Sequence, residues 1–387
     1  MEHARPYQAV PAQPQALQLE PTNRPIQQIA TMVGAAETHS FDLPGGRSVS
    51  WSEYGTKNSP HPPVIFLHSS PSSRYEGEAL HASALSLNLR VISPDRPGIG
   101  LSSLDPNRTF LTYPADILAL THHLHVERFR MLSLSGGAPY LLACMRRIPR
   151  EVLLGGHVVS GVWPMDLGTE GMDWMRRGLM FVAHFAPTFV GSMMNYQIGA
   201  AARDSDTSKL EASITAQANN WPKPDQEAWK SGKVKKYMMQ GLREAFRDGG
   251  TGVGLEMGLY AKDWGFDLES VDTRGLKIWH GKLDTTCPFD QAEKAVDCLQ
   301  GARSFYYDDM AHMVIAYHAE DILREMVPVG GEQFPTTPVK SPVDIRIAPP
   351  TPTPVPATIA PAAVPEAIPD VPAVVPEQAK AEEAAAA

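Results

Sequence analysis

The sequence predicts an α/β protein, a doubly wound and mostly parallel sheet with a helical insertion and disordered segments at both ends. Three observations carry that expectation. Short apolar runs at 64–67, 90–93, 128–134, 153–159 and 276–279 suit strands buried on both faces. Helical stretches such as 113–124 and 137–148 separate most of them, and this alternation puts helices on both faces of a parallel sheet. From 163 to 272 the rhythm breaks: five of the seven tryptophans, with many Met and Phe, follow helical rather than strand periodicity.

Taken in order, the chain starts with a Pro- and Gln-rich segment, 1–37, expected to be disordered. Residues 38–43 and 48–54, joined by Pro44-Gly45-Gly46, read as a hairpin that opens the first part of the core, 38–162. The insertion 163–272 is read as a cap over the sheet. Within it, 178–194 is apolar but holds His184 and Pro187 and falls short of the roughly 20 residues that a membrane span needs, so a cap helix is expected. The core resumes over 273–329. Residues 330–387 hold 13 of the 35 prolines and are expected to stay disordered with polyproline II character.

Composition narrows the class. The 387 residues are 43% apolar, enough for a sizeable core. A net charge of −9 with no long basic run argues against nucleic acid as a partner. Cys144, Cys287 and Cys298 are widely spaced, indicate neither a disulfide framework nor a zinc site, and favour a reducing, cytoplasmic setting. No secretory signal is expected at the N-terminus. His122, His123 and His125 lack an acidic or Cys partner and read as a solvated helix end, so no metal or other cofactor is expected.

Three segments carry chemistry. In Ser133-Leu134-Ser135-Gly136-Gly137 an apolar strand ends in a small-x-Ser-x-small turn and a helix follows. Such a turn can lift one hydroxyl above the sheet and set it at a helix N-terminus, although a serine with a purely structural role in a turn fits the pentad alone as well. The strand 64–67 runs into His68-Ser69-Ser70-Pro71-Ser72-Ser73-Arg74, a small-residue loop of the kind that lends a backbone N–H to an oxyanion hole; Ser70 is the candidate donor and Gly136 the second. The third segment, Asp95-Arg96-Pro97-Gly98-Ile99-Gly100-Leu101-Ser102, is a shaped turn, with Asp95 and Arg96 read as fixing it through hydrogen bonds and an ion pair.

In this order and spacing the segments resemble the α/β-hydrolase fold superfamily. More narrowly they are similar to its serine esterase-like branch, which carries His-Gly-x-Pro-x-Ser-Arg, Asp-Arg-Pro-Gly-x-Gly-x-Ser and Gly-x-Ser-Gly-Gly-x-Pro-Tyr. The resemblance spans about 38–329, with Ser69 and Ser133 standing where the branch has glycine. It implies an acid and a histidine further on, in the chain order Ser, Asp, His. Asp284, in His280-Gly281-Lys282-Leu283-Asp284-Thr285-Thr286-Cys287-Pro288, and His312, after a last strand at 304–307, fill those places. Asp166 is the rival acid and Asp309 a weaker one, while His68, His280, Ser72 and Ser73 are read as structural.

The expected activity is that of a serine hydrolase with Ser135 as nucleophile, His312 as base and Asp284 as orienting acid. Its substrate would be a small molecule with an apolar acyl group. A carbon–carbon hydrolase, peptidase or acyltransferase can use the same triad, and a non-catalytic binder can keep the fold. Of Trp229, Trp264 and the Met-rich stretch in the insertion, most are expected in the core and a few in the lining of a pocket.

Overall fold

The computed structural model describes residues 37–327; apart from Glu37, the two terminal segments expected to be disordered lie outside the described residues. Eight strands form one sheet in the order β1-β2-β4-β3-β5-β6-β7-β8. The hairpin is β1 (Thr38–Asp42) and β2 (Ser48–Gly55), and β2 pairs antiparallel with β4 (Arg90–Pro94). From β4 onward the sheet is parallel, through β3 (Val64–Leu67), β5 (Phe129–Leu134), β6 (Leu153–Val159), β7 (Leu276–Gly281) and β8 (Arg303–Tyr307).

Both faces of the sheet are covered, which is why the central strands are almost uniformly apolar. All four side chains of β3 are buried. On one face, α1 (Glu78–Ser86) and α12 (Ile315–Arg324) pack Leu80, Ala84, Ile322 and Leu323 against Val64, Phe66 and Trp279. On the other, α2 (Tyr113–His123), α3 (Ala138–Arg147) and α11 (Phe289–Cys298) pack Ile117, Leu141 and Ala295 against Ile65, Met131 and Ile278. The doubly wound expectation holds.

Strand order reverses beside β3. The chain goes from β3 outward to β4, then returns past β3 to β5, so the crossovers leave from opposite sides at the carboxyl ends of β3 and β5, the switch point where sheets of this kind place their ligands. Loop 68–74 leaves β3 there and the Ser135 turn leaves β5. Gly137 makes the approach possible: a Cβ on it would stand 2.5 Å from the carbonyl oxygen of Leu67.

Between β6 and β7 the chain is helical: α4 (Trp174–Phe185), α5 (Pro187–Met194), α6 (Ala200–Arg203), α7 (Thr207–Ala218), α8 (Lys223–Lys230), α9 (Lys235–Ala245) and α10 (Thr251–Tyr260). Leu210, Ile214, Trp229, Val234 and Phe246 form a core of their own with Ile99 of the sheet side, while Ala183, Val190, Met257 and Tyr260 join the main core. The expected single helix over 178–194 is two helices. Pro187 has no N–H to give to the preceding turn, and the chain breaks at Ala186. No helix among the described residues is long and apolar enough to cross a membrane.

The expectation of a mostly buried Met-rich stretch needs correction. Trp229, Trp264 and Met257 are buried, but Met175, Trp174, Phe181, Phe185 and Phe189 are exposed, the last four by 61–81%. Arg176, Arg177 and His184 share one side of α4, and of the whole helix only Ala183 is buried.

Candidate active site

Ser135 follows the last residue of β5 and has φ of +51°, the left-handed region that a side chain rarely adopts. A single residue in that region turns the chain from strand to helix at once: Leu134 is extended and Ala138 already begins α3. The carbonyl of Ser135 is tied down by the N–H of Val162, 3.1 Å away, at the end of β6. Ser133, two residues earlier in β5, is buried between β3 and β6, and its hydroxyl finds no partner among the described residues.

Asp284 lies just past the end of β7 and is fully enclosed. Its Oδ1 accepts the N–H groups of Thr286 at 2.7 Å and Cys287 at 2.9 Å, and its Oδ2 accepts from Nδ1 of His312 at 2.8 Å. That bond assigns the proton to Nδ1 and leaves Nε2 of His312 with a lone pair. Burial pushes the Asp284 carboxyl up, but the charge and hydrogen bond of His312 outweigh it and hold the group below the usual carboxylate range. Burial pushes His312 down, and the Asp284 carboxylate, helped by Asp225, outweighs it and lifts the imidazole above 6.5. The same turn meets Ser135, since the thiol of Cys287 stands 4.0 Å from its Oγ. Burial raises the Cys287 thiol far above its ordinary value, so it faces Ser135 as a neutral group.

Of the rival acids, Asp166 is exposed on a short turn after β6 and Asp309 is exposed beside the β8 loop. His280 donates Nε2–H to the carbonyl of Cys287 at 2.8 Å and lies 3.4 Å from Oδ2 of Asp284, buttressing the turn 284–287. His68 is neutral: burial, then the charge of Arg96, drive its pKa down to about 3, and its Nδ1 donates to the carbonyl of Ser69 at 2.7 Å. Ser72 and Ser73 are buried, Ser73 capping the short turn 74–77.

The candidate oxyanion residues adjoin one another. A Cβ built on Gly136 would lie 3.0 Å from Cβ of Ser70 and 2.5 Å from the hydroxyl of Tyr260. The loop carrying Ser70 is held by charges that sequence reading did not connect. Asp95 and Arg96 each find a partner elsewhere instead of fixing their own turn as a pair. Asp95 binds the guanidinium of Arg74 and accepts Ser50 Oγ at 2.7 Å, and Arg74 reaches on to Glu244 of α9 at 2.8 Å. Arg96 pairs with Glu256 of α10, and its Nη2 donates to the carbonyl of Ser69 at 3.0 Å. Glu256 in turn accepts Ser70 Oγ at 2.6 Å. Burial raises the Glu256 carboxyl, but the charge of Arg96 outweighs it and brings the pKa to about 2. Glu76 is buried too and accepts both the N–H and the hydroxyl of Ser69.

Glu76, Asp225, Glu256 and Tyr260 were not singled out from the sequence. Glu256 alone left a signal there, a lone acid between Asp248 and Asp263 in an apolar, glycine-rich run. Its glycines let α10 press close: a Cβ on Gly252 would collide with the carbonyl of Gly98, and one on Gly254 would meet that of Pro187 at 2.4 Å.

No family model and no curated protein sequence matches the chain. Solved structures do. An esterase from Rhodococcus sp. superposes with a TM-score of 0.50 at 18% identity, covering 76% of this chain and 96% of its own. An esterase from Exiguobacterium antarcticum gives 0.51 at 16% identity, with 73% and 96% covered. An enol-lactonase from Burkholderia xenovorans gives 0.51 at 15%, with 73% and 97% covered. At these identities the likeness speaks for the fold.

Proposed function

We propose, for a chain that has the α/β-hydrolase fold, that it hydrolyses carboxylic esters of small alcohols or phenols with an apolar acyl group. The single observation that carries the reading is that Ser135, held at φ of +51° between strand and helix, stands 4.0 Å from Cys287 of the turn whose Asp284 is hydrogen-bonded to His312 at 2.8 Å. Three of the solved structures it resembles are two esterases and an enol-lactonase, enzymes whose names all denote acyl–oxygen chemistry.

In this reading Ser135 Oγ attacks the ester carbonyl carbon while Nε2 of His312 takes its proton. The carbonyl π bond opens onto oxygen, and the N–H groups of Ser70 and Gly136 receive the negative charge. Collapse of the tetrahedral adduct breaks the carbon–oxygen bond, and His312 returns the proton to the leaving alkoxide. Water then repeats the sequence on the acyl-serine and releases the carboxylic acid. Asp284 keeps the proton on Nδ1 throughout and stabilises the imidazolium. The helices between β6 and β7 serve as a cap, and the Cys287 thiol is an apolar neighbour for the acyl chain.

Incubation of the full chain with a fluorophosphonate probe, followed by peptide mapping, tests the proposal. The adduct is expected on Ser135, with Ser135→Ala unlabelled and inactive on p-nitrophenyl butyrate. A wild-type protein that neither labels nor hydrolyses would favour a binding protein that keeps the fold without the chemistry.

A further inference from the structure

Two of the helices between β6 and β7 reach down to the loops that carry the chemistry, and they do so with polar side chains. From α8, the Asp225 carboxylate accepts the backbone N–H of His312 at 3.1 Å through Oδ2 and that of Met313 at 3.0 Å through Oδ1. One carboxylate therefore holds two successive amides of the base-bearing loop. From α10, Glu256 and Tyr260 stand four residues apart, on one face of the helix. Glu256 accepts the Ser70 hydroxyl at 2.6 Å, and Tyr260 donates to the carbonyl of Gly136 at 3.0 Å. Those are the residues whose N–H groups are the candidate oxyanion donors. All three side chains are buried, at 3% exposure or less.

We infer that Asp225, Glu256 and Tyr260 are positioning residues, through which the cap sets the base loop and both oxyanion donors in their working places. The inference rests on the serine hydrolase reading. A carbonyl fixed by a hydrogen bond fixes the plane of its peptide, so Tyr260 orients the peptide that follows Gly136 and anchors the turn from which the Gly136 N–H projects. Glu256 is itself held by Arg96, whose guanidinium also binds the carbonyls of His68 and Ser69, and by the hydroxyl of Tyr140 at 3.3 Å. The loop at Ser70 is thus gripped from the sheet and the cap at once. In such an arrangement a donor misplaced by a fraction of an ångström loses transition-state stabilisation while substrate affinity changes little.

Asp225 has a second effect that Tyr260 lacks, because it places a negative charge beside the base. The imidazole of His312 faces Asp284 and His280 from the β7 loop, Asp225 and Arg176 from the cap, and Glu76 from the turn 74–77. Removing the Asp225 charge favours the neutral imidazole.

The test compares full-length wild type, Tyr260→Phe, Asp225→Asn and Asp225→Glu by hydrolysis of p-nitrophenyl butyrate across pH, by fluorophosphonate labelling rate and by urea unfolding. Tyr260→Phe is expected to lower kcat roughly tenfold, the size of one lost hydrogen bond in the transition state, with KM within about twofold and the acid-limb midpoint unmoved. Asp225→Asn is expected to lower kcat and to move that midpoint to lower pH, and Asp225→Glu to restore the midpoint. Wild-type kcat and midpoint in Tyr260→Phe and Asp225→Asn overturn the inference while wild-type labelling leaves the hydrolase reading in place. So does a loss that follows the urea midpoint alone, with KM rising and no pH shift, since that is the signature of a merely structural contact. Absence of labelling in the wild type overturns both.

Discussion

Ser69 gives both its backbone N–H and its hydroxyl to one carboxylate, that of Glu76, with Oγ 2.7 Å from Oε1. Ser69 is one of two positions where a serine replaces the glycine of the motif that the sequence resembles, so the extra hydroxyl has a partner in this chain. The backbone bond does not depend on it. Ser69→Gly should therefore leave fluorophosphonate labelling within about threefold of wild type. Glu76→Ala leaves a buried N–H without an acceptor and should lower the unfolding free energy by about 1–3 kcal/mol in urea, with labelling slowed more than in Ser69→Gly. Equal slowing in the two variants would show that the hydroxyl, not the peptide, holds the loop.

The pH dependence follows from the sign of one shift. In the proposed mechanism His312 must be neutral to take the serine proton, and Asp284 and Asp225 hold its pKa above 6.5 against the opposing effect of burial. Activity should therefore be lost as pH falls through a midpoint above 6.5, measured as kcat/KM on an uncharged ester. A midpoint below that value would mean that burial wins over the two carboxylates.

The acid can be assigned by kinetics as well as by geometry. Asp284→Asn offers Nδ1 of His312 a donor or a weak acceptor in place of a carboxylate, and turnover should fall by about 10⁴. Asp166, exposed on its turn, should give an Asp166→Asn protein with wild-type turnover. Loss of activity in Asp166→Asn would require a conformation in which that carboxylate swings onto the imidazole.

Holding Ser135 at φ of +51° has a stability consequence opposite to its role in the proposed mechanism. A left-handed conformation is unfavourable by about 1–2 kcal/mol for a residue with a Cβ and costs glycine nothing sterically. Ser135→Gly should thus be inactive and more resistant to urea than Ser135→Ala. If the alanine variant is the more stable of the two, the left-handed turn is not strained in this setting.

The strands at 64–67 and 153–159 are legible to the residue because both faces of the sheet are covered, which turns each strand into an uninterrupted apolar run. Ser135 and Asp284 stand out for a related reason, since each follows a largely buried strand, while His312 follows the half-exposed edge strand β8; loops after parallel strands converge on one edge. The supporting polar groups leave no such trace. Glu256 meets Arg96 across a separation of 160 residues and Asp225 meets His312 across 87, so only the folded chain brings them together. The same limit explains the ion pairs. Asp95 and Arg96 are neighbours in sequence, but consecutive side chains leave an extended chain in opposite directions, and each finds its partner on a different element.

The contact between Tyr260 and residue 136 bears on how such a protein can be recombined. The phenol hydroxyl occupies the space that a methyl group on residue 136 would need, so residue 136 can grow only where residue 260 shrinks. Grafting 163–272 from another chain of this fold onto this sheet would bring a new helix against Ser70 and Gly136 and break their bonds to Glu256 and Tyr260. A chimera that keeps these two bonds has to carry the Ser70 loop, the Ser135 turn and α10 together.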